Sequence, residues 1–518
     1  MAVGTTRAIL AVGVLASVGA GTPGAATETH ARATQTIACQ SQGTERQHCA
    51  ADTSQGVVLV RTLSETACLL GKTWGYDDGG VWVIGGCGGE FLVAPAAAPE
   101  AQPEPTPPAE PAPAPPEETK KGPEHIPNLG FKIYEGENGQ IYMRLFSYAR
   151  YLNQESLDDS YTDFFGNVIP VDVREDVQLT KFFLPFSGWF LTPKMRYYLY
   201  VWSANTAQGQ DAQTVGAGNI SYTFNKHVTF GAGITSLPST RSTEGQFPYW
   251  LGVDDRIISD EFFRGSYTSG LWLKGSIFDG LNYMAMIANN LSTLGVAASQ
   301  LDAGFNTTSL MINWLPTTHE FGPIGAFGDF EGHQEFATRI GAHYTTSIED
   351  KQSQPGTDAI ENTQLRLTDG SNIFTDELFG PGINVERATY SMFSVDGGVK
   401  YKGFSLEGEY YWRTLDDFGG TNVSGLAGID DHGYQIQSSA MILPQDLQVY
   451  VSGGEIRGKF GNGSEIRAGL NWFFRQRRGL RVNVEWMLLD DCPVGYTAVP
   501  YPVGGNGSVY HAAFELNF

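Results

Sequence analysis

No stretch of this chain approaches the ~18 consecutive apolar residues that a helical membrane span requires, so a helical span is excluded. Positive charge is scarce: 33 Lys and Arg stand against 56 Asp and Glu, a net charge of −23. That balance argues against nucleic acid as a partner, because binding a phosphate backbone needs clustered cations. The nine histidines are scattered, and none stands in an HExxH motif or beside GxSxG, so the usual hydrolase signatures are missing. Neither an enzyme nor a cofactor is expected. Cysteine is also sparse, but four of the five (Cys39, Cys49, Cys68 and Cys87) fall in one short stretch, with Cys492 far away. They include no close pair of the kind that holds zinc, so no metal site is expected. They read as two disulfides formed in an oxidising compartment, with three possible connectivities.

What is present is aromatic and glycine-rich: 12% aromatics and 63 glycines, with a mean hydropathy of only −0.20. Residues 1–26 have the pattern of a secretory signal, with Arg7, a short apolar core from Ala8 to Ala20 and small residues after it; cleavage could fall as late as residue 33. Residues 34–94 carry short β-branched runs between Gly and Asp turns, which predicts a small all-β domain stapled by its cysteines. Trp74, Tyr76 and Trp82 are its candidate sugar-stacking residues, the alternative being that they fill a minimal core. Residues 95–124 repeat Ala, Pro and Glu, as in Pro103-Glu104-Pro105-Thr106-Pro107-Pro108. Such a run holds an extended polyproline shape and can reach about 85 Å, the length of a periplasmic spacer that lets the module touch peptidoglycan.

From residue 140 onward one theme recurs. Sixteen segments alternate in hydropathy with period two: 140–153, 176–187, 192–204, 213–224, 227–237, 265–278, 281–290, 304–315, 335–346, 391–402, 404–415, 432–443, 446–455, 464–474, 479–489 and 508–518. Each is long enough to cross a membrane as a tilted strand. Their connections alternate short (Lys402-Gly403, Pro444-Gln445) and long (238–264, 347–390), as in barrels with short periplasmic turns. The connection 316–334 breaks this rule, being long where a short turn is expected. The expected fold is an all-β, 16-stranded antiparallel transmembrane barrel over 130–518, with a small N-terminal disulfide-bonded β domain.

The alternation also assigns faces. Phe393, Val395, Leu406, Tyr410 and Trp412 share a lipid face, because charges there would cost ~2–4 kcal/mol each. The inward residues, expected to line a pore, are Arg144, Arg150, Arg339, Asp396, Lys400, Glu407, Glu409, Arg413, Arg467, Arg481 and Glu485. Loop 238–264 holds Arg241, Asp254, Asp255, Arg256, Asp260 and Glu261; it either folds inward as a constriction carrying both signs or lies on the rim. The last strand puts Tyr510, Ala512, Phe514, Leu516 and Phe518 on one face. It resembles the C-terminal signature of bacterial outer-membrane barrels, which assembly machinery reads.

Several segments resemble the phosphate-selective porin O and P family: Ile141-Tyr142-Met143-Arg144-Leu145, Arg196-Tyr197-Tyr198-Leu199-Tyr200-Val201-Trp202, Asn219-Ile220-Ser221-Tyr222-Thr223-Phe224-Asn225-Lys226, and Gly403-Phe404-Ser405-Leu406-Glu407-Gly408-Glu409-Tyr410-Tyr411-Trp412. The resemblance covers about residues 130–518. It implies an outer-membrane channel of sixteen strands that forms a homotrimer in outer-membrane lipid. Beyond Glu124, 26 Lys and Arg face 43 Asp and Glu, a charge of −17, and no run of Arg and Lys marks an anion ladder. The expectation is a weakly selective hydrophilic pore, the alternative a cell-wall-binding anchor with a closed barrel. The N-terminal part resembles a small secreted bacterial disulfide domain of unassigned function.

Overall fold

A computed structural model describes residues 35–53, 57–64, 66–77, 79–93, 123–204, 214–244, 249–293, 304–354, 365–496 and 499–518. The signal segment and the spacer as far as residue 122 lie outside them. The chain divides into two units, Met1–Glu117 and Glu118–Phe518.

In the first unit six strands form two small antiparallel sheets. One has the order β1 (Gln35–Gln40), β6 (Gly88–Val93), β3 (Val57–Thr62); the other β2 (Gln47–Ala50), β5 (Gly80–Val83), β4 (Trp74–Asp77). Disulfides join Cys39 to Cys49 and Cys68 to Cys87, selecting one of the three pairings. The core is small: Val57, Trp74, Val81, Val83, Phe91 and Val93 with the buried cysteines. So few apolar residues need covalent staples. Trp74 is 5% exposed and its ring lies 4.9 Å from Phe91. It therefore fills the core and has no face free for a sugar, which corrects its candidacy. The Trp82 ring lies so close to Gly75 that a side chain there would collide with it, and the Arg46 guanidinium sits 4.2 Å over the ring. Tyr76, 45% exposed, is the candidate left open to solvent.

In the second unit sixteen staves close into an antiparallel barrel. The first stave is made of β9 (Gly139–Met143) and β10 (Phe146–Leu157), interrupted at Arg144-Leu145. After the short hairpin β11 (Ser160–Thr162) and β12 (Val168–Pro170) come β13 (Glu175–Phe190), β14 (Thr192–Ala204), β15 (Thr214–Asn225), β16 (Val228–Ser236), β17 (Tyr267–Phe278), β18 (Leu281–Ala288), β19 (Thr307–Trp314) and β20 (Ala337–Asp350). The rest are β21 (Asn384–Tyr401), β22 (Phe404–Thr421), β23 (Ile429–Leu443), β24 (Leu447–Gly458), β25 (Gly461–Phe473), β26 (Leu480–Asp490) and β27 (Gly507–Asn517). Closure runs from Phe146 opposite Asn517 to Leu157 opposite Gly507. Short strands β7 (His125–Ile126) and β8 (Gly130–Gly136) precede the first stave, and β8 pairs with β9.

Outward positions are apolar all round. Tyr151, Val177, Leu199, Ile220, Phe230, Leu273, Ile287, Leu310, Ile340, Phe393, Leu406, Ile436, Val451, Ile466, Val484 and Phe514 are exposed, one on each stave. A belt of this kind is stable only against hydrocarbon, and a closed barrel leaves no unpaired strand edge there. Aromatic pairs such as Phe336 stacked on Tyr401 and Trp472 beside Phe474 sit near the short-turn rim. The Lys402-Gly403 turn has both φ values positive, 48° and 87°, the geometry of a tight two-residue hairpin. It brings Lys400 Nζ to 3.8 Å from Glu407, a diagonal pair across the hairpin.

The first stave departs from simple alternation. A bulge lies between Tyr148 and Arg150, and Phe146 and Tyr148 face inward. They pack with Phe183, Tyr200, Trp202 and Val253, so the barrel interior holds an aromatic cluster and not only polar groups.

Candidate functional site

The inner faces of β20–β27 carry a dense set of charges, and each buried charge requires a partner, since an uncompensated one costs several kcal/mol. Many of the partners come from the β16–β17 connection, which folds into the barrel. The Arg241 guanidinium lies 3.0 Å from Glu407 and donates to the carbonyls of Gly325 and Ala326, while its backbone N–H donates to Glu409. Glu244 pairs with Arg339, which also holds Asp396 at 2.6 Å. Asp254 lies 2.9 Å from Lys181 of β13 and accepts a hydrogen bond from Tyr148. Asp255 lies 2.7 Å from Arg467, which also reaches Glu465 and Glu485.

The loop backbone completes the match. Arg481 donates to the carbonyls of Leu251 and Gly252, Arg150 to that of Val253, and Arg467 to that of Arg256. Arg256 lies near Asp260 and Glu261 and 4.3 Å over the Trp250 ring. A short helix, α1 (Ile258–Phe263), stacks Phe263 on Tyr411 and places Phe262 4.0 Å from the Arg413 guanidinium.

The long connection between β19 and β20 enters from the opposite rim. Lys400 donates to the carbonyls of Phe321 and Ala326, and Gly328 N–H donates to Glu407. The Phe327 N–H donates to the carbonyl of Tyr249 at 2.8 Å, so the two connections meet inside the barrel. The irregular length of 316–334 is thus a folded excursion that packs against the wall. Above it, Leu365, Leu367, Ile373 and Phe374 join Val494, Val499 and Tyr501 in an apolar cluster with the strands.

This arrangement changes the meaning of the inward charges. Arg150, Arg339, Asp396, Lys400, Glu407, Glu409, Arg413, Arg467, Arg481 and Glu485 do face inward, but all are buried under the inserted connections. They anchor loops and do not line open space, which corrects their expected role. The reason is electrostatic: once the loops exclude water from a wall charge, a fixed opposite charge and aligned hydrogen-bond partners must offset the lost hydration, and the loops supply both. Arg144 differs. It is half-buried, donates to Asn517 at 2.7 Å, and lines a recess at the short-turn rim with Tyr249, Arg478 and Phe518. Of the loop residues, Arg241, Asp254, Asp255, Arg256, Asp260 and Glu261 all lie inside the barrel, none on its rim.

On the opposite inner wall, β14–β18, Tyr200, Trp202, Met286 and Ala288 are buried, and only the part nearer the short turns stays uncovered. There Arg196, Tyr198, Asn219, Ser221, Thr235 and Lys274 line a recess of about 310 Å³ with Thr243 and Glu244 of the loop. Gly231 lies under the Trp272 indole, where any side chain would collide with the ring. The ring thereby lies flat on the wall. Arg196 and Lys274 are exposed. Sequence reading missed both, and also Glu244 and Lys181, although Arg196 shares the parity of Tyr198 and Tyr200, and Lys274 that of Trp272. Those parities were the available signal.

Comparison with known proteins finds one family match, confined to the N-terminal part. The family described as "Protein of unknown function (DUF3011)" matches residues 36–104. No curated protein matches. Among solved structures, the chain is similar to an anion-selective porin from Comamonas acidovorans (10% identity, 73% of this chain and 100% of that one, TM-score 0.45). It is also similar to OmpT of Vibrio cholerae in trimer form (12%, 74% and 100%, TM-score 0.44). A third is the outer-membrane channel DcaP of Acinetobacter baumannii (7%, 74% and 99%, TM-score 0.43). The strand count and closure given above rest on this chain's own pairing.

Proposed function

We propose that the barrel is an outer-membrane porin, a passive diffusion channel for small hydrophilic solutes and ions. The observation that carries this reading is the asymmetry of the interior. Both inserted connections pack toward β20–β27 and the first stave, and the β14–β18 wall keeps exposed polar side chains facing a recess. Polar groups exposed inside a membrane barrel need water beside them. Steady single-channel current in planar bilayers tests the proposal; a protein that folds and inserts without current overturns it.

The second reading, an anchor with a closed barrel, is favoured by how much of the lumen the two connections occupy. It predicts no current together with retention on isolated cell wall. In both readings residues 1–26 are a signal peptide, 95–124 a periplasmic spacer and 34–94 a periplasmic module that binds peptidoglycan, for which sedimentation of the protein with purified sacculi is the test. The last strand is the segment read by the barrel-assembly machinery, and the assembly is a homotrimer, checked by migration of unheated protein on gels. Phosphate selectivity, the finer part of the family resemblance, has support only in the two exposed cations of the uncovered part of the β14–β18 wall. Block of chloride current by phosphate tests it.

A further inference from the structure

We infer that Trp82, Arg46, His48 and Asp77 form the glycan site of the N-terminal module, and that the site takes amino-sugar chains bearing carboxylates. The inference rests on the reading of that module as a binder of peptidoglycan, and it names the residues and the ligand chemistry that reading needs.

The sheet of β2, β5 and β4 has two different faces. Val81 pairs with Cys49 and Tyr76, and Val83 with Trp74, on the face that meets the core. Period two puts Trp82 on the other face, where it pairs with His48 and Gly75, and Asp77 stands two residues beyond Gly75 on that same face. Tyr76 shares the parity of Val81 and is not part of this group. The core therefore does not account for Trp82, which is half-buried on the far side of its own sheet. Its ring lies flat on Gly75, where an added Cβ would come within 2.5 Å of it. A large aromatic kept outside so small a core is a platform for the apolar face of a ring.

Three exposed polar side chains surround the indole. Arg46 holds its guanidinium 4.2 Å over the ring, which keeps the fork oriented. Its ion-pair partner among the described residues, Asp77, stands 3.8 Å away, beyond hydrogen-bond reach, so the fork has donors to offer. The other oxygen of Asp77 accepts from the Gly79 N–H and lies 2.9 Å from His48. Exposed pairs of this kind add little stability, and two disulfides already close the fold. Holding the module together does not explain the cluster.

Its chemistry selects the ligand. An oriented guanidinium matches a carboxylate through two parallel hydrogen bonds. His48 and Asp77 supply a donor and an acceptor for hydroxyl and amide groups. Three strands about 4.8 Å apart make a face about 10 Å wide, room for one or two sugar rings and too little for a protein interface of ~800 Å² a side. Residues 35–93 hold three basic residues (Arg46, Arg61 and Lys72) against six Asp and Glu. Attraction for a carboxylate is thus local to Arg46 and is not a property of the module's overall charge. Peptidoglycan offers both parts, amino-sugar rings and the carboxylates of the peptides attached to them.

The test is co-sedimentation of the full-length protein in detergent micelles with purified sacculi and, separately, with chitin, which has the amino sugars without the carboxylates. The wild type is expected to pellet with sacculi and to bind chitin roughly fivefold more weakly. Arg46→Gln and Trp82→Ala should each weaken binding to sacculi by roughly fivefold or more. Arg61→Gln, on the other sheet, is the control for diffuse charge and leaves binding unchanged. Protease resistance of residues 35–93 verifies the fold of each variant, and Arg46→Gln, which removes no core residue, decides where Trp82→Ala does not fold. Wild-type protein that pellets with sacculi while Arg46→Gln pellets equally well overturns the inference and leaves the peptidoglycan reading standing. Equal affinity for chitin, or an equal loss in Arg61→Gln, does the same. Wild-type protein that does not pellet with sacculi sinks that reading and the inference with it.

Discussion

The ring of Tyr249 lies 4.9 Å from the guanidinium of Arg478, although the two residues belong to connections at opposite rims of the barrel. Tyr249 enters with the β16–β17 connection, and Arg478 stands in the turn between β25 and β26. The contact means that an outside connection traverses the lumen to the far mouth. Arg478 also pairs with Glu331 at 3.0 Å and donates to the Phe327 carbonyl, so one side chain ties both inserted connections to the wall. Arg478→Ala is expected to release them, giving larger and noisier single-channel current. A current trace identical to wild type would show that the tie is dispensable.

Asp254 and Lys181 form a pair in which both side chains are almost fully buried. Asp254→Asn strands the ammonium, and removing one partner of a buried pair costs about 3 kcal/mol or more. The expected outcome is a lower urea midpoint for the purified protein. Adding Lys181→Met to Asp254→Asn should recover part of the loss, because no charge is then left uncompensated and Asn tolerates the positive φ of 50° at this position.

The β19–β20 connection carries a titratable clasp. His333 lies 2.7 Å from Glu320 and hydrogen-bonds Asp329, which in turn accepts from the Gly403 N–H of the neighbouring turn. Burial disfavours the charged imidazole, but the hydrogen bonds to Asp329 and Glu320 outweigh it and push His333 up to about 9. The His333 bond holds Glu320 below its ordinary value; at Asp329 burial pushes upward, and the bonds from His333 and Gly403 outweigh it. Stability from the raised histidine is fully present below about 6.5, the unfolded value, and is lost as pH rises through about 9. Stability from the carboxyls is present above their unfolded values and is lost as pH falls through the lowered ones. Protease nicking of 316–336 should therefore be slow near neutral pH and faster above pH 9, and His333→Gln should abolish the alkaline rise.

Closure depends on the terminal aromatic. Leu145 N–H donates to the Phe518 carbonyl at 2.7 Å, Phe518 N–H returns a bond at 3.0 Å, and the Phe518 ring meets Phe131 edge-on. Deleting Phe518 opens the seam at the break in the first stave. It is expected to reduce the amount of folded barrel in the outer membrane severalfold, read as loss of the heat-modifiable gel band.

The module's disulfides are expected to stabilise it without touching the barrel. Replacing Cys68 and Cys87 with serine should cost the module about 2–5 kcal/mol, seen as protease sensitivity of residues 35–93. Barrel migration on unheated gels should not change.

Some of this was legible in the residues alone. The segments 391–402 and 404–415 alternate so regularly that their faces, their turn and the Lys400–Glu407 pair follow from period two. The longer reach of the actual strands, Asn384–Tyr401 and Phe404–Thr421, was not, because polar strand ends above the membrane carry no apolar signal. In the first stave parity alone puts Phe146 and Tyr148 on the face of Arg144 and Arg150, but what packs on them is not legible. Val253 of a distant loop covers them, and no local pattern encodes that cover.

The sequence by itself determined the barrel, its two faces and the stapled module, since alternation and cysteine spacing are local properties that hydrocarbon and water read residue by residue. Only the tertiary structure decided which inward charges are spent on holding loops and which remain open to solvent. Arg467 and Lys274 look equivalent along their strands. They differ because Asp255, more than 200 residues before Arg467, arrives to neutralise one, and no carboxylate among the described residues arrives for the other.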